Sequence, residues 1–285
     1  MTSQLKTLLL LALLTGLMLF LGQAAGGRTG LVIALILALV MNFVSYWYSD
    51  KIVLAMYQAQ ELKPSDAPWL HAMVAELAQT AGIPKPRLCV IPQDSPNAFA
   101  TGRNPENAVV AVTEGIMRAL SPEELRGVLA HEIAHVANRD ILIQSVAAVL
   151  GAAIMSMAHM LQWGAMFGVG RRDDREGGGG ISALALALIA PVAAMLIQMA
   201  ISRSREYLAD DTGARLTGRP LDLANALARL DTASRQIPLA GNPVAENLFI
   251  VNPFTAEGLG SLFSTHPPMA ERISRLRELA RRQGR

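Results

Sequence analysis

Four long stretches of the chain are apolar and carry no Asp, Glu, Lys or Arg. They cover residues 7–27, 29–49, 141–170 and 177–202. A helix needs roughly 20 apolar residues to cross the hydrocarbon core of a bilayer, and each stretch reaches that length. The pattern predicts an integral membrane protein with about four transmembrane helices. It excludes a purely soluble protein and a disordered chain.

The first two stretches predict a transmembrane hairpin over residues 1–49, with spans at about 7–27 and 29–49. A cleaved signal peptide is the alternative, because Lys6 precedes the first stretch and small residues end it. The hairpin is favoured, since the first stretch is long for a signal peptide and only Arg28 separates it from the second.

The last two stretches predict a second hairpin, transmembrane or membrane-embedded, within residues 141–202. Its spans are expected at about 141–163 and 181–202. The soluble segments, 50–140 and 203–285, are then two parts of one domain on the same side of the membrane.

The distribution of Lys and Arg near the span ends predicts which side that is. One side carries Lys6, Lys51, Lys63, Arg126, Arg139, Arg203, Arg205 and Arg215, and the other carries Arg28, Arg171, Arg172 and Arg175. Positive residues accumulate on the cytoplasmic side. Both termini and the soluble domain are therefore expected in the cytoplasm.

The soluble segments predict a mainly helical α+β domain with a small sheet. Ser65-Asp66 can cap a helix that ends near Gln79, and Ser121-Pro122-Glu123-Glu124 forms a strong start for another. After Gly127 the second helix meets no Pro or Gly before Gly151, so it is expected to run directly into the third apolar stretch. Short runs of β-branched and small residues predict strands at Arg87–Ile91, Ala98–Thr101 and Ala108–Thr113.

Composition adds two exclusions. The net charge is +2 and aromatic residues make up 5% of the chain, with no long run of like charges, so no nucleic-acid partner is expected. Cys89 is the one cysteine, which excludes an intramolecular disulfide and a cysteine-rich zinc site.

The segment His131-Glu132-Ile133-Ala134-His135 carries the candidate chemistry. On a helix, two histidines four residues apart lie on the same face and can bind one metal ion. Glu132 can serve as a general base toward a water molecule at that metal. Two histidines that merely line an amphipathic helix are the alternative. The pattern predicts a zincin-like metallopeptidase site.

A catalytic zinc site needs a third protein ligand. Glu206 follows the fourth apolar stretch, and the return of the second hairpin would bring it beside the His131 helix. Asp210 lies one helical turn further on, where it can accept the second N–H of a ligand histidine. Spacing alone would favour the alternative, a solvated surface on which the two carboxylates balance Arg203 and Arg205.

Several motifs together resemble those of the HtpX heat-shock membrane proteases, which are related to the CAAX prenyl proteases. These motifs are Asn97-Ala98-Phe99-Ala100-Thr101-Gly102, His131–His135, Arg205-Glu206-Tyr207-Leu208-Ala209-Asp210 and Leu262-Phe263-Ser264-Thr265-His266-Pro267-Pro268. The resemblance implies one zinc ion bound by His131, His135 and Glu206, with Glu132 as the general base. It also implies that His266 and Arg272 stabilise the oxyanion of the reaction.

The segment Asn97, Ala98, Phe99, Ala100 and Thr101, bounded by Pro96 and Gly102, predicts an edge strand. A peptide substrate could pair with its backbone as an added strand. A strand that pairs only within its own sheet is equally compatible with the sequence.

The resemblance implies a membrane-bound zinc endopeptidase that cleaves misfolded membrane-protein segments at the cytoplasmic face of a bacterial inner membrane, as part of the stress response and protein quality control. Its expected partners are those unfolded segments and the lipid bilayer, and the sequence sets no oligomeric state. One alternative is a processing peptidase of narrow specificity, similar to the prenyl proteases. The other is a zinc-stabilised membrane holdase that binds unfolded segments without cutting, and an intact Glu132 argues against it.

Overall fold

The structure, a computed structural model of the 285-residue chain, describes residues 3–151, 203–236, 250 and 267–284. The helices within these ranges are α1 Ser3–Met56, α2 Pro68–Ala81, α3 Glu114–Ala119, α4 Pro122–Ala137, α5 Ile141–Gly151, α6 Arg203–Thr217, α7 Pro220–Gln236 and α8 Met269–Arg282. The strands are β1 Gln60–Glu61, β2 Arg87–Ile91, β3 Ala98–Thr101 and β4 Val109–Thr113, with a short 3₁₀ helix at Pro105–Asn107.

Helix α1 folds back on itself as a helical hairpin. It reverses at Gly27, whose φ of +54° lies in the left-handed region that glycine adopts without strain. A Cβ added to Gly22 would lie 2.5 Å from the carbonyl oxygen of Gly30, so the two arms touch through their backbones. Further along, Asn42 Nδ2 donates to Thr15 Oγ1 at 2.9 Å. The arms therefore run antiparallel, with small residues where they approach most closely.

The second arm, Gly27–Met56, is the one helix in the described part of the chain that is long and apolar enough to cross a membrane by itself. Only 17% of its most apolar window is buried, unlike the core helix of a soluble protein. The first arm contains a shorter apolar helix, Leu5–Phe20. The described residues do not include 152–202, which cover the fourth apolar stretch and most of the third. The number of four spans therefore remains a prediction.

The sheet is small and mixed, with strand order β1-β2-β4-β3. Strand β2 pairs in parallel with β4, and the other two pairings are antiparallel. The three predicted strands are present, and β4 begins one residue later than expected. The two-residue β1 was not predicted. Strand β3 lies at the edge of the sheet.

Both faces of the sheet are covered by helices, which explains the apolar composition of the central strands. One face packs against α2 and α4 through residues such as Leu88, Val110 and Val112. The opposite face contributes Phe99 and Cys89 to a cluster with Val53 and Tyr57, at the end of the hairpin. The sheet thus joins the helical domain to the membrane hairpin.

Helix α4 starts as the sequence predicts but ends earlier. Ser121 and Glu124 form the expected capping box. The helix stops at Ala137, Arg139 adopts a φ of +58°, and α5 leaves at 92° to α4. The expectation of one helix running straight into the third stretch is therefore wrong, because a left-handed residue breaks the helical hydrogen bonds. Similarly, α2 begins at Pro68 without a side-chain cap, and Ser65 bonds Asp66 instead.

Candidate metal centre and active site

Three buried side chains from two helices converge on one point. His131 and His135 project from the same face of α4, with their rings edge to face and their Nε2 atoms 3.2 Å apart. From α6, Glu206 places Oε2 3.6 Å from Nε2 of His131 and Oε1 3.5 Å from Nε2 of His135. The structure thus brings together the two histidines and the glutamate that the sequence proposed as metal ligands.

The spacing of these donors fits a zinc ion. Three donors held about 2.0–2.1 Å from a tetrahedral ion lie roughly 3.4 Å from one another, close to the separations seen here. Two imidazole nitrogens and one carboxylate are also a donor set that zinc prefers in catalytic sites, where three protein ligands leave one position open. The group therefore has the geometry and the chemistry of a zinc site.

Close packing of α6 on α4 positions Glu206. Gly213 of α6 lies so near α4 that an added Cβ would be 2.9 Å from the backbone nitrogen of His131. On the other side, Gly127 of α4 allows a similar approach by Leu223 of α7. Glycine at these two points lets the helix backbones touch. As a result, Glu206 and Asp210 are each only 3% exposed, so the solvated-surface alternative is wrong.

Asp210 and Arg272 form a second layer behind His131. Asp210 Oδ1 lies 2.9 Å from Nδ1 of His131, the nitrogen that does not face the other donors. Arg272, on α8, donates from Nε and Nη2 to the two oxygens of Asp210 at 2.8 and 2.7 Å. Its Nη1 lies 3.5 Å from Glu206 Oε2. These contacts fix the orientation of the His131 ring.

Asp140 was not singled out from the sequence. It lies in the bend after α4, where its Oδ2 is 3.6 Å from Nδ1 of His135, and it is 2% exposed. Each histidine of the motif therefore has a buried carboxylate near its outer nitrogen, within hydrogen-bond distance for His131 only. The sequence offered no signal for Asp140, because its position depends on the turn at Arg139.

The charges around the site shift the protonation of His131 in the absence of a metal. Burial lowers the pKa of His131, but the hydrogen bonds with Asp210 and Glu206 outweigh it and raise the pKa to about 9. Burial would likewise raise the pKa of Asp210, but Arg272 and His131 hold it below its usual value. The metal-free site thus keeps a proton on His131 at neutral pH.

Glu132 lies buried beside the three donors. It is 2% exposed, and its carboxylate accepts a hydrogen bond from the backbone N–H of Ala100. Burial raises the pKa of Glu132 above its usual value, and the neighbouring His131 and His135 offset this only in part. A raised pKa brings a carboxylate closer to neutral pH, where a general base transfers protons most efficiently.

Strand β3 passes directly beside Glu132. The carbonyl of Asn97 points toward strand β4, where it accepts a hydrogen bond from the backbone N–H of Thr113 at 2.9 Å. At the other end of β3, Thr101 Oγ1 contacts Ser145 Oγ of α5 at 2.7 Å. The carbonyl of Ala98 faces the open edge, where it accepts from the backbone N–H of Ile250 at 3.4 Å. The carbonyl of Ile250 in turn accepts from Arg272 Nη1 at 3.0 Å. Ile250 therefore already bridges the edge strand and Arg272 through its backbone N–H and carbonyl.

His266 lies outside the described residues, so its predicted role remains a prediction. The other candidate residues on α4, α6 and α8 lie together with the edge strand β3. Two helical histidines, a glutamate from a second helix and a buried glutamate after the first histidine define a metallopeptidase of the HExxH class.

Comparison with known proteins places the chain within that class. It belongs to peptidase family M48, whose profile matches residues 64–280. It is 59% identical over 283 residues to "Protease HtpX homolog" of Persephonella marina, an alignment that covers 98% of each chain. With the protein of the same description from Syntrophobacter fumaroxidans it shares 57% identity, over 98% of this chain and 100% of that one. The resemblance to the HtpX family is thus confirmed, and the chain is a membrane-bound metalloprotease.

A solved structure shares the fold. The crystal structure of S. mikatae Ste24p matches 96% of this chain with a TM-score of 0.53 and 19% sequence identity. This chain corresponds to 65% of the length of that one. The likeness shows a shared fold, in which a small mixed sheet accompanies mainly helical structure in this chain.

Proposed function

We propose that this metalloprotease is a zinc-dependent endopeptidase that cleaves misfolded or damaged membrane-protein segments at the cytoplasmic face of a bacterial inner membrane. The observation that carries the proposal is the buried Glu132 beside the donors of His131, His135 and Glu206. A structural zinc site has no use for such a base, which argues against the holdase. The proposed topology is multi-pass, with four spans and both termini in the cytoplasm.

The chain's own residues divide the work of peptide hydrolysis. A bound zinc ion supplies Lewis-acid chemistry that polarises the scissile carbonyl and acidifies water. Glu132 takes the proton from the attacking water and passes it to the departing amine. Asp210 holds His131 in orientation from behind, and Asp140 places a buried negative charge 3.6 Å from His135.

The edge strand Asn97, Ala98, Phe99, Ala100 and Thr101 is proposed to bind the substrate backbone. Supporting this, the outward carbonyl of Ala98 already bonds the N–H of Ile250, whose own carbonyl contacts Arg272. An extended substrate could make the same pair of bonds at this edge. Arg272, together with His266, would then donate to the oxyanion, once Arg272 has released Ile250.

Replacing Glu206 with Gln is expected to remove the metal while sparing the fold. The amide keeps the size of the side chain but is a poor zinc ligand. Zinc retained after dialysis against a weak chelator should fall at least about tenfold, since even outer-shell changes cost 10–100-fold. Elemental analysis of the purified protein provides the measurement.

Glu278→Gln is the matched control, because Glu278 lies exposed on α8 away from the donors. That variant should retain zinc at the level of the unmodified protein. Full zinc occupancy in the Glu206→Gln variant would contradict the ligand assignment.

Zinc uptake is expected to release about one proton from His131 near pH 7.5. His131 carries a second ring proton there in the metal-free protein, because its pKa is about 9, and an imidazole must be neutral to bind zinc. This raised pKa stabilises the metal-free fold below about pH 6.5, and the contribution is lost as the pH rises through 9. Titration calorimetry in buffers of different ionisation enthalpy counts the protons. An equal heat in every buffer would show that His131 is already neutral.

A further inference from the structure

A cavity of about 530 Å³ lies where the membrane hairpin meets the catalytic domain. Its walls come from both arms of α1, the loop after β3 and the bend between α4 and α5. Leu8 and Leu11 contribute from the first arm, Trp47 from the second and Leu142 from α5. The cavity therefore opens beside the apolar surface of the spanning helix.

Two arginines line this cavity. Arg103 is half-buried in the loop after β3, with its guanidinium over the ring of Trp47 at 4.6 Å from the centroid. Arg139 is exposed in the α4–α5 bend. None of the described residues around the cavity is acidic, and neither guanidinium forms an ion pair with a described residue. Among the described residues, the cavity therefore contains two arginines without an acidic partner.

A neighbouring cavity of about 500 Å³ shares Trp47 and Arg103 and is also basic, since Lys51 and Arg87 line it as well. It also contains Asp50, which pairs with Arg87 at 3.8 Å. The leucines lie on the side of Arg139, so the first cavity combines basic groups with an apolar wall. Tyr46, which lines the first cavity with Trp47, is an aromatic residue of the type enriched at the headgroup level of membranes.

We propose that this cavity binds the headgroup of an anionic phospholipid. The phosphate lies between Arg103 and Arg139, and the acyl chains follow Leu8, Leu11 and Leu142 along the hairpin. A zwitterionic lipid would bring its own cation against the arginines, and a soluble phosphate would leave the apolar wall uncovered. The site is separate from the proteolytic centre. It would fix the bend that ends α4, next to Asp140 and its contact with His135.

Fluorescence of Trp47 in the full chain tests the proposal, with Trp69 and Trp163 replaced by Phe. The protein is placed in nanodiscs containing phosphatidylglycerol or phosphatidylcholine brominated on the acyl chains, which quench a tryptophan on contact. Each arginine should raise the affinity for an anionic lipid roughly fivefold. Phosphatidylglycerol should therefore quench Trp47 at a mole fraction at least about tenfold lower than phosphatidylcholine does. Inorganic phosphate should not compete.

The preference for phosphatidylglycerol should disappear in the double variant Arg103→Gln/Arg139→Gln. It should fall only partly in Arg139→Gln, a variant in which Arg103 still stacks on Trp47. Arg277→Gln/Arg281→Gln removes the same charge from the exposed face of α8 and should retain the preference. Comparing the two lipids within each variant cancels any change in Trp47 emission. Equal quenching by both lipids, a preference that survives the double substitution, or competition by inorganic phosphate would each overturn the proposal.

Discussion

Replacing Glu132 with Gln is expected to abolish cleavage of an unfolded model protein while zinc remains bound. The amide keeps the volume of the side chain and can still accept from Ala100 N–H, so the buried site stays packed. It cannot take up a proton, and a general base accounts for about 10²–10⁴-fold in rate. Cleavage by the detergent-solubilised enzyme is measured with and without a chelator, and after zinc is added back.

Glu123→Gln is the matched control, since Glu123 is exposed in the first turn of the same helix. That variant should cleave at the rate of the unmodified enzyme. Cleavage at that rate by Glu132→Gln would show that another group is the base. Binding of the unfolded protein without cleavage by the zinc-loaded unmodified chain would instead support the holdase alternative.

Replacing Arg272 with Met is expected to lower the free energy of unfolding by about 3–5 kcal/mol. Arg272 is completely buried and bonds both oxygens of Asp210 as well as the carbonyl of Ile250. Removing it leaves the charge of Asp210 in the protein interior with His131 as a partner. Denaturation of the full chain in detergent, followed by circular dichroism, gives the free energy.

Arg275→Met is the matched control on the same helix. Arg275 is exposed and stacks on Tyr207 at 3.9 Å from the ring centroid, a contact that contributes about 0.5–1 kcal/mol. In the double variant Arg272→Met/Asp210→Asn, most of the loss should be recovered, because the buried carboxylate that lost its guanidinium partner is removed as well. Equal stability of Arg272→Met and Arg275→Met would show that the buried pair contributes nothing.

The part of the site that could be predicted from the sequence is the part built by one helix. His131, Glu132 and His135 follow from helical spacing, and the capping box of Ser121 and Glu124 fixes where that helix starts. The helix keeps the regular spacing of these side chains, because other helices and the sheet pack against α4 on several sides. The strands were also predictable, since both faces of the sheet are buried.

The contacts between distant elements could not be derived from spacing. Glu206 becomes a donor because Gly213 lets α6 touch α4, and its neighbouring sequence resembles a solvated charged helix. The break at Arg139 carries neither Gly nor Pro, the residues that usually mark such a turn. The placements of Asp140 and Ile250 follow from tertiary packing, and they had no local signal. The resemblance to a known family indicated Glu206 as the third ligand, which helical spacing alone did not assign.

The residues of the active site are synthesised at widely separated times, and this order limits when the enzyme can first cut proteins of the cell that makes it. His131 and His135 leave the ribosome first, and the apolar stretches 141–170 and 177–202 follow before Glu206. Arg272, which holds Asp210 in place, comes 141 residues after His131. Chains of this size fold progressively while they are being made. The nascent enzyme is therefore an incomplete peptidase throughout its membrane insertion, and proteolytic competence arises only after that insertion.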